Sequence, residues 1–231
     1  MQPPRIQSLV VLSGGQDSTT CLYWALDQFG VGAVEALTFD YGQRHRIEID
    51  CAIKIAARAG VPQTVLPINT FTALGGNALT DAELAVQSGV DAQTQLPNTF
   101  VPGRNLIFLT LAAAFAYPRA IHHLVTGVAQ TDYSGYPDCR QATLQALEQT
   151  LQLGMACDLT IHAPLMFKSK AETVLMARDL GAWPALADTH TCYHGQQPPC
   201  GACPACVLRA KGFAEAGLAD PLVARFHSSP S

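Results

Sequence analysis

Charged residues and long apolar runs are scarce in this sequence, and each scarcity excludes a class of protein. Only 14% of the 231 residues are charged, the net charge is −4, and lysine occurs only at positions 54, 168, 170 and 211. Without a basic run, the chain lacks the electrostatic surface by which proteins grip DNA or RNA. Its longest apolar stretch, 106–116, is too short to span a bilayer. We therefore expect neither a nucleic-acid nor a membrane partner.

Signals of export are also missing. No apolar core of a signal peptide precedes the first apolar run, and Cys21, Cys51, Cys139 and Cys157 lie scattered, mostly in helical patterns, as reduced core cysteines do. These features predict a cytoplasmic protein. The apolar content of 48% is high enough for one compact domain with a small appendage.

What the sequence does contain is a regular alternation of short β-branched runs and helical patterns. Such alternation predicts an α/β fold, a parallel sheet with helices on both faces. The predicted strands are 6–12, 34–39, 63–68, 121–128 and 159–165, and the predicted helices are 19–29, 46–60, 105–117, 141–153 and 169–180, the last capped by Ser169. The segment 71–97 is interpreted as an irregular excursion over a site.

A glycine-rich loop, Ser13-Gly14-Gly15-Gln16-Asp17-Ser18, joins the first strand to the first helix. Unpaired backbone N–H groups and the positive end of the helix dipole lie at that point, so the loop suits a phosphate or pyrophosphate. The loop has no lysine and no G-x-x-x-x-G-K spacing, which excludes a Walker A motif, and it is not G-x-G-x-x-G.

Polar segments follow the other predicted strands as well, at 40–45, 130–140 and 166–170. Because ligands of open parallel sheets bind outside the carboxyl ends of the strands, these segments predict one site. Arg104 can fork onto phosphate oxygens, and Asn105 is predicted to cap the next helix. Lys168 is predicted to neutralise the departing phosphates, whereas Lys170 is interpreted as a surface lysine.

The segment 126–140 has the composition of a pocket for a flat, polar ring. Tyr133 and Tyr136 can stack on such a ring, and a carboxylate from Asp132 or Asp138 can accept two N–H donors from the edge of a guanine-like base. Arg140 completes the predicted substrate set. The pattern does not decide which aspartate reads the base.

Four cysteines close together near the end predict a metal site: Cys192, Cys200, Cys203 and Cys206. Four thiolates suit a tetrahedral zinc and leave no position for a reacting water, so the metal is predicted to be structural. An iron–sulfur cluster is the alternative, since thiolates bind both. His190 and His194 flank the cysteines and can replace a ligand.

Taken together, these motifs resemble the 7-cyano-7-deazaguanine synthase family of the ATP-pyrophosphatase (PP-loop) superfamily. The resemblance covers nearly the whole chain and rests on segments 13–21 (SGGQDSTTC), 41–45 (YGQRH), 101–105 (VPGRN), 131–140 (TDYSGYPDCR), 170–173 (KAET) and 189–193 (THTCY), with the three later cysteines. It implies a Rossmann-like fold of the adenine nucleotide alpha hydrolase type. It further implies an ATP-binding domain over 1–185, a zinc-binding element over 186–231 with one zinc per subunit, and a homodimer.

The resemblance also implies an activity, the conversion of 7-carboxy-7-deazaguanine, ammonia and ATP to 7-cyano-7-deazaguanine through adenylated intermediates. Mg²⁺ would accompany ATP on the Asp17 side of the loop, and Asp17, Arg104 and Lys168 would be catalytic. The implied ATP-binding residues are Leu12, Ser13, Gly14, Gly15, Gln16, Asp17, Ser18, Thr19, Thr20, Cys21 and Leu22. The alternatives are a tRNA thiolase, an amidotransferase synthetase domain, or a zinc-ribbon nucleic-acid-binding module with Arg209 and Lys211 as its basic residues.

Overall fold

A five-stranded, all-parallel sheet forms the centre of the protein. The computed structural model describes residues 5–43, 46–69, 71, 93, 96–130 and 136–227. The strands lie in the order β3-β2-β1-β4-β5, and their parallel pairing confirms the predicted α/β class. Their bounds are β1 Ser8–Val11, β2 Val34–Asp40, β3 Gln63–Pro67, β4 His123–Val125 and β5 Thr160–His162.

Helices cover both faces of the sheet. They are α1 Gln16–Phe29, α2 Ile47–Ala59, α3 Arg104–Ala116, α4 Gln141–Met155, α5 Lys170–Asp179, α6 Trp183–Leu186, α7 Pro204–Glu215 and α8 Pro221–His227, with short 3₁₀ turns at Tyr117–Arg119 and Pro137–Cys139. The first five were predicted to within three residues at each end. The last three were not predicted, because the prolines and cysteines of that region obscure helical periodicity.

Successive side chains of β1 point to opposite faces of the sheet and are buried on both. Val10 packs in one cluster with residues of α1 and α2, and Leu9 packs in the other with residues of α3. Both side chains are fully buried, as expected for a central parallel strand. In the strand order 3-2-1-4-5, successive strands are added on one side of β1 up to β3 and on its other side from β4 onwards. The crevice at such a switch point, between β1 and β4, is where these folds bind ligands.

Four strands, β1, β3, β4 and β5, are shorter than predicted, and the largest difference is in β4. The predicted strand 121–128 pairs only over His123–Val125, because the chain then leaves the sheet and passes Gly127 against the first loop. At the other end of the described chain, α7 packs against α5 and α8 packs against α6. The boundary at residue 185 stays a prediction.

None of the helices in the described ranges is long and apolar enough to cross a bilayer. The predicted excursion over 71–97 lies almost entirely outside the described residues.

Candidate active site and four-cysteine centre

The loop after β1 is closed by its own hydroxyl groups. Ser18 Oγ accepts a hydrogen bond from Ser13 N at 3.2 Å, lies 3.0 Å from Ser13 Oγ, and donates to Gly15 O at 3.1 Å. Gly15 precedes α1 without a side-chain cap, so the N–H groups of the first helical turn are not capped from that residue. The loop therefore presents the anion-binding end of a helix at the carboxyl edge of the sheet.

Glycine is required where the loop meets its neighbours. Gly14 has φ +85°, and a Cβ there would clash with the carbonyl oxygen of Glu48 in α2. On the opposite side, a Cβ on Gly127 would lie 2.8 Å from Ser18 N. The loop is wedged between α2 and the chain after β4, which fixes its shape before any ligand arrives.

Gln16 is a buried side chain with an unmet hydrogen bond. It is 7% exposed, and its Nε2 has no hydrogen-bond partner among the residues that the structure describes. An unpaired amide donor in the interior is costly and calls for an acceptor. A phosphate oxygen is an acceptor of the kind that this amide lacks.

A lysine does lie at this loop, but it is Lys170 of α5. Lys170 Nζ lies 2.6 Å from Asp17 Oδ2, and its side chain is 14% exposed, so the interpretation of Lys170 as a surface lysine is wrong. Lys168 instead lines a groove of about 580 Å³ beside α4, with Glu148 and Glu172 among its other walls. Ser169, between the two lysines, is the N-cap of α5 as predicted, and a capping box with Glu172 closes this helix start.

The remaining predicted ATP-binding residues support the loop from behind. Leu12, Thr19, Thr20, Cys21 and Leu22 have no exposed surface. The hydroxyl groups of Thr19 and Thr20 donate to backbone carbonyls at the start of α1, and Cys21 Sγ donates to Thr126 O. Burial raises the pKa of the Cys21 thiol well above its usual value, so this cysteine is unreactive.

Arg104, the first residue of α3, is the centre of a charged and aromatic group that also contains Tyr41, Glu48, Tyr136 and Tyr193. Its guanidinium is hydrogen-bonded to the Tyr41 side chain, and Tyr136 and Tyr193 are its other phenolic neighbours. Burial raises the pKa of Glu48 to about 7, and Arg104 opposes that rise. The group thus combines a fixed cation with a carboxyl that titrates near neutrality.

The 3₁₀ turn at 137–139 fixes the start of α3. Asp138 is 4% exposed, and its Oδ2 accepts from Asn105 N at 3.0 Å and from Asn105 Nδ2 at 3.1 Å. The prediction that Asn105 caps this helix is wrong, since α3 begins one residue earlier, after Gly103 in the left-handed conformation, and the carboxylate of Asp138 takes the capping role.

The other predicted substrate residues are only partly described. Tyr136 is buried, with its Oη 2.7 Å from Thr99 Oγ1, and Arg140 is exposed at the N-terminus of α4. Asp132 and Tyr133 lie outside the described residues.

The four cysteines converge as predicted. The Sγ atoms of Cys192, Cys200, Cys203 and Cys206 all lie within 4.8 Å of one another. A tetrahedral zinc with Zn–S bonds of about 2.3 Å places its sulfur atoms about 3.8 Å apart, so the cluster fits a metal of that size. The backbone N–H groups of Ala202 and Cys203 point at Cys200 Sγ, at 3.4 Å and 3.3 Å. Desolvation raises the pKa of Cys200, but these hydrogen bonds outweigh it and lower the pKa to about 6.

Neither flanking histidine joins this thiolate cluster. His190 Nε2 donates to Cys192 O at 2.8 Å and so braces a ligand from outside, as groups around metal sites do. The thiolate set is complete without a histidine.

Sequence reasoning missed Glu48, the position of Lys170, and a buried ion pair between Arg209 of α7 and Asp220. Arg209 is 5% exposed and cannot serve a nucleic-acid surface as the zinc-ribbon alternative requires. Its one sequence signal is its place three residues after Cys206 in a mostly apolar helix. For Glu48 the pattern offers none, since a glutamate in the first turn of a helix is ordinary.

Comparison with known proteins adds relatives over most of the chain. A family model described as "Queuosine biosynthesis protein QueC" matches residues 7–217. A protein of Chromobacterium violaceum named 7-cyano-7-deazaguanine synthase is 70% identical, with 95% of this chain and 94% of that protein covered. One of the same name from Laribacter hongkongensis is 68% identical, with 94% of each covered.

Among solved structures, one titled a predicted subunit of tRNA methyltransferase, from Methanocaldococcus jannaschii, is 16% identical. It has a TM-score of 0.49 and covers 75% of this chain and 74% of its own. A likeness at that level supports no inference about function.

Proposed function

The chain belongs to the QueC family of queuosine biosynthesis proteins and is an enzyme that forms 7-cyano-7-deazaguanine, as the resemblance in the sequence predicts, and we propose that it does so by adenylating the substrate twice at the loop after β1. The observation that carries the proposal is the construction of that loop. An uncapped helix N-terminus, the buried amide of Gln16 and the Asp17–Lys170 pair lie together at the carboxyl edge of the sheet.

The first half of the reaction activates a carboxylate. An oxygen of 7-carboxy-7-deazaguanine attacks the α-phosphorus of ATP, the bond to the β-phosphate oxygen breaks, and pyrophosphate leaves. The backbone N–H groups of the loop, Gln16 Nε2 and Lys170 Nζ stabilise the charge that develops on the departing group. Lys170 suits the role predicted for Lys168, because its amino group already lies against the loop. Ammonia then attacks the acyl carbon, and AMP leaves with one carboxylate oxygen to give the amide.

The second half removes the amide oxygen. That oxygen attacks the α-phosphorus of a second ATP, pyrophosphate leaves again, and loss of AMP with a proton from nitrogen yields the nitrile. No side-chain nucleophile is needed, so positioning and charge neutralisation carry the reaction. Arg104 supplies a fixed positive charge, and Glu48, whose pKa lies near 7, can accept a proton from the attacking nitrogen.

Substrate choice belongs to the segment 130–140 in this proposal. Asp138 is already bound to the start of α3, so Asp132 is the better candidate for the edge of the base, with Tyr133 as the stacking ring and Arg140 for the carboxylate. Tyr136 is fixed by the hydrogen bond between its hydroxyl group and that of Thr99.

We assign zinc to the four-cysteine centre, where it would hold residues 192–206 together without taking part in the reaction. Mg²⁺ bound with ATP would partly neutralise the charge of the triphosphate, and a carboxylate oxygen of Asp17 could coordinate this ion. Metal analysis of the purified protein distinguishes one zinc per chain from an iron–sulfur cluster, which would absorb visible light.

The decisive experiment follows oxygen. With a substrate carrying ¹⁸O at both carboxylate positions, ATP and ammonium, double adenylation puts one ¹⁸O into each of two AMP molecules per nitrile, which mass spectrometry of the products detects. Formation of ADP, or appearance of the second ¹⁸O in water, would contradict the mechanism.

One observation weighs against the tRNA thiolase and another against the zinc-ribbon module. A tRNA thiolase needs a reactive cysteine near the loop, and Cys21 is fully buried with a raised pKa. A zinc-ribbon nucleic-acid binder needs exposed basic residues, and Arg209 is buried against Asp220. Filter binding to tRNA at varied salt checks the second point, and we expect no steep salt dependence.

The family resemblance also supports a cytoplasmic homodimer that uses free ammonia. Light scattering of the purified protein tests the dimer, with an expected mass of twice 24.6 kDa.

A further inference from the structure

The segment that leads into the first cysteine lies directly against the phosphate loop. We call residues 189–192 the strap. His190 N donates to Gly14 O at 2.9 Å, and a Cβ on Gly15 would lie 3.6 Å from His190 O. Thr189 and His190 are buried. The backbone of the strap therefore forms one wall of the loop, and Cys192 is its last residue.

A single buried arginine fixes the strap. All five N–H groups of the Arg209 guanidinium are used: Nε and Nη2 donate to Asp220 at 2.6 Å and 2.8 Å, Nη1 to Thr189 and Thr191 at 2.8 Å and 3.0 Å, and Nη2 to Leu186 O at 3.3 Å. A buried cation that has every donor satisfied holds its partners in one geometry. Arg209 thus links α7 to the two threonines of the strap, Thr189 and Thr191.

The same helix reaches the loop by a second route. A Cβ on Gly212, one turn after Arg209, would lie 2.7 Å from Lys170 Cβ and 3.3 Å from Lys170 O. Helix α7 therefore packs backbone to backbone on the start of α5, where Lys170 extends to Asp17 of the loop. Any shift of α7 at this contact moves the lysine.

Two of the four thiolates belong to the other end of α7. Cys203 is the N-cap residue of this helix and Cys206 lies in its first turn. We propose that α7 couples the four-cysteine centre to the phosphate loop, with Arg209 and Gly212 as positioning residues for ATP. The coupling rests on the proposed function, since it takes the loop to be the ATP site. It gives the four-cysteine centre a task beyond stability: to hold the loop in its binding conformation.

The test compares nucleotide binding in variants along one helix. Arg209→Gln removes the clamp, Gly212→Ala pushes on Lys170, and Lys211→Gln, at an exposed position between them, is the matched control. Affinity for a non-hydrolysable ATP analogue is measured by calorimetry, zinc by elemental analysis, and KM for ATP and for the carboxylate separately. We expect the first two variants to bind the analogue roughly tenfold more weakly, with a matching rise in KM for ATP and an unchanged KM for the carboxylate. Lys211→Gln should behave like the wild type.

Arg209→Gln removes a buried charge and can fail to fold, so Thr191→Val provides a milder variant that loses one strap hydrogen bond and leaves the Arg209–Asp220 pair intact. Thr191→Val should lower the affinity for the ATP analogue by a smaller factor than Arg209→Gln does, and it should keep one zinc per chain. Removing the metal from the folded wild type with a chelator should weaken binding as Arg209→Gln does.

Analogue affinity equal to the wild type in folded Gly212→Ala and Thr191→Val would overturn the coupling, as would an equal loss of affinity for ATP and carboxylate. Both results leave the proposed function intact. A wild type that binds no analogue would instead overturn the proposed function.

Discussion

The raised pKa of Glu48, in the candidate site, leads to a quantitative prediction of how the stability of the protein depends on pH. Burial raises that pKa from 4.5 to about 7. Between those two values the folded protein binds a proton that the unfolded chain releases. This contribution to stability is complete below pH 4.5, is lost as the pH rises through 7, and is constant above that.

The substitution Glu48→Gln keeps the shape of the side chain and removes its titration. A shift from 4.5 to about 7 is equivalent to at most about 3 kcal/mol of free energy. Over the practical range from pH 5 to pH 8, we expect the stability of the variant relative to the wild type to rise by roughly 2 kcal/mol. The variant gains most at alkaline pH, where the wild type keeps a charge on this half-buried carboxyl beside Arg104.

The assay is urea denaturation of both proteins at several pH values, followed by circular dichroism. Asp50→Asn, on the exposed face of the same helix, is the control for a simple change of net charge. The reasoning would be refuted if the free energy of unfolding of wild type and Glu48→Gln changed in parallel with pH, or if the variant lost stability relative to the wild type as the pH rises. The same variant should slow ammonia addition if Glu48 accepts its proton, which single-turnover amide formation measures.

Three further predictions concern the loop, the metal centre and the start of α3. Lys170→Met should lower the rate of substrate-dependent ATP–pyrophosphate exchange by about a hundredfold, because the departing pyrophosphate loses its cation, and Lys168→Met should lower it far less; the reverse order would return the role to Lys168. Cys203→Ser should reduce the zinc content below one per chain and lower the melting temperature, and a full zinc content would contradict a four-thiolate site. Asp138→Asn weakens the charged cap of α3, so urea denaturation should show a loss of about 1 kcal/mol; an unchanged stability would show that the two bonds to Asn105 contribute nothing.

The sequence predicted the sheet and the first five helices because their signals are local. Apolar periodicity, Gly60 at the end of α2 and Ser169 at the start of α5 each specify an element from adjacent residues alone. The same holds for the four cysteines, whose spacing is a property of one short segment. What these elements share is that the neighbours that decide them are neighbours in sequence.

The errors share the opposite property. Lys170 was interpreted as exposed because its partner, Asp17, is 153 residues away, and nothing in KSK distinguishes one lysine from the other. Asn105 was predicted to cap α3 because Asn is a common cap, whereas the capping carboxylate comes from Asp138, 33 residues later. Residues 44–45 and 131–135 of the predicted site lie outside the described ranges, so their roles stay predictions.

The missing lysine of the first loop ties these observations together. A phosphate loop that carries its own lysine can bind a triphosphate without help from other segments. The one charged residue of this loop is an acid, Asp17, which by itself repels a triphosphate. In the proposed mechanism the cation comes from elsewhere in the chain, and Lys170, which reaches Asp17 from the start of α5, is the residue placed to provide it. A borrowed cation is useful only if the helix that carries it is held in place, and the contact of Gly212 with Lys170 does so with no room for a methyl group. In the proposed coupling the C-terminal region holds this lysine in place, so a second lysine introduced into the loop should reduce the dependence of ATP affinity on Gly212.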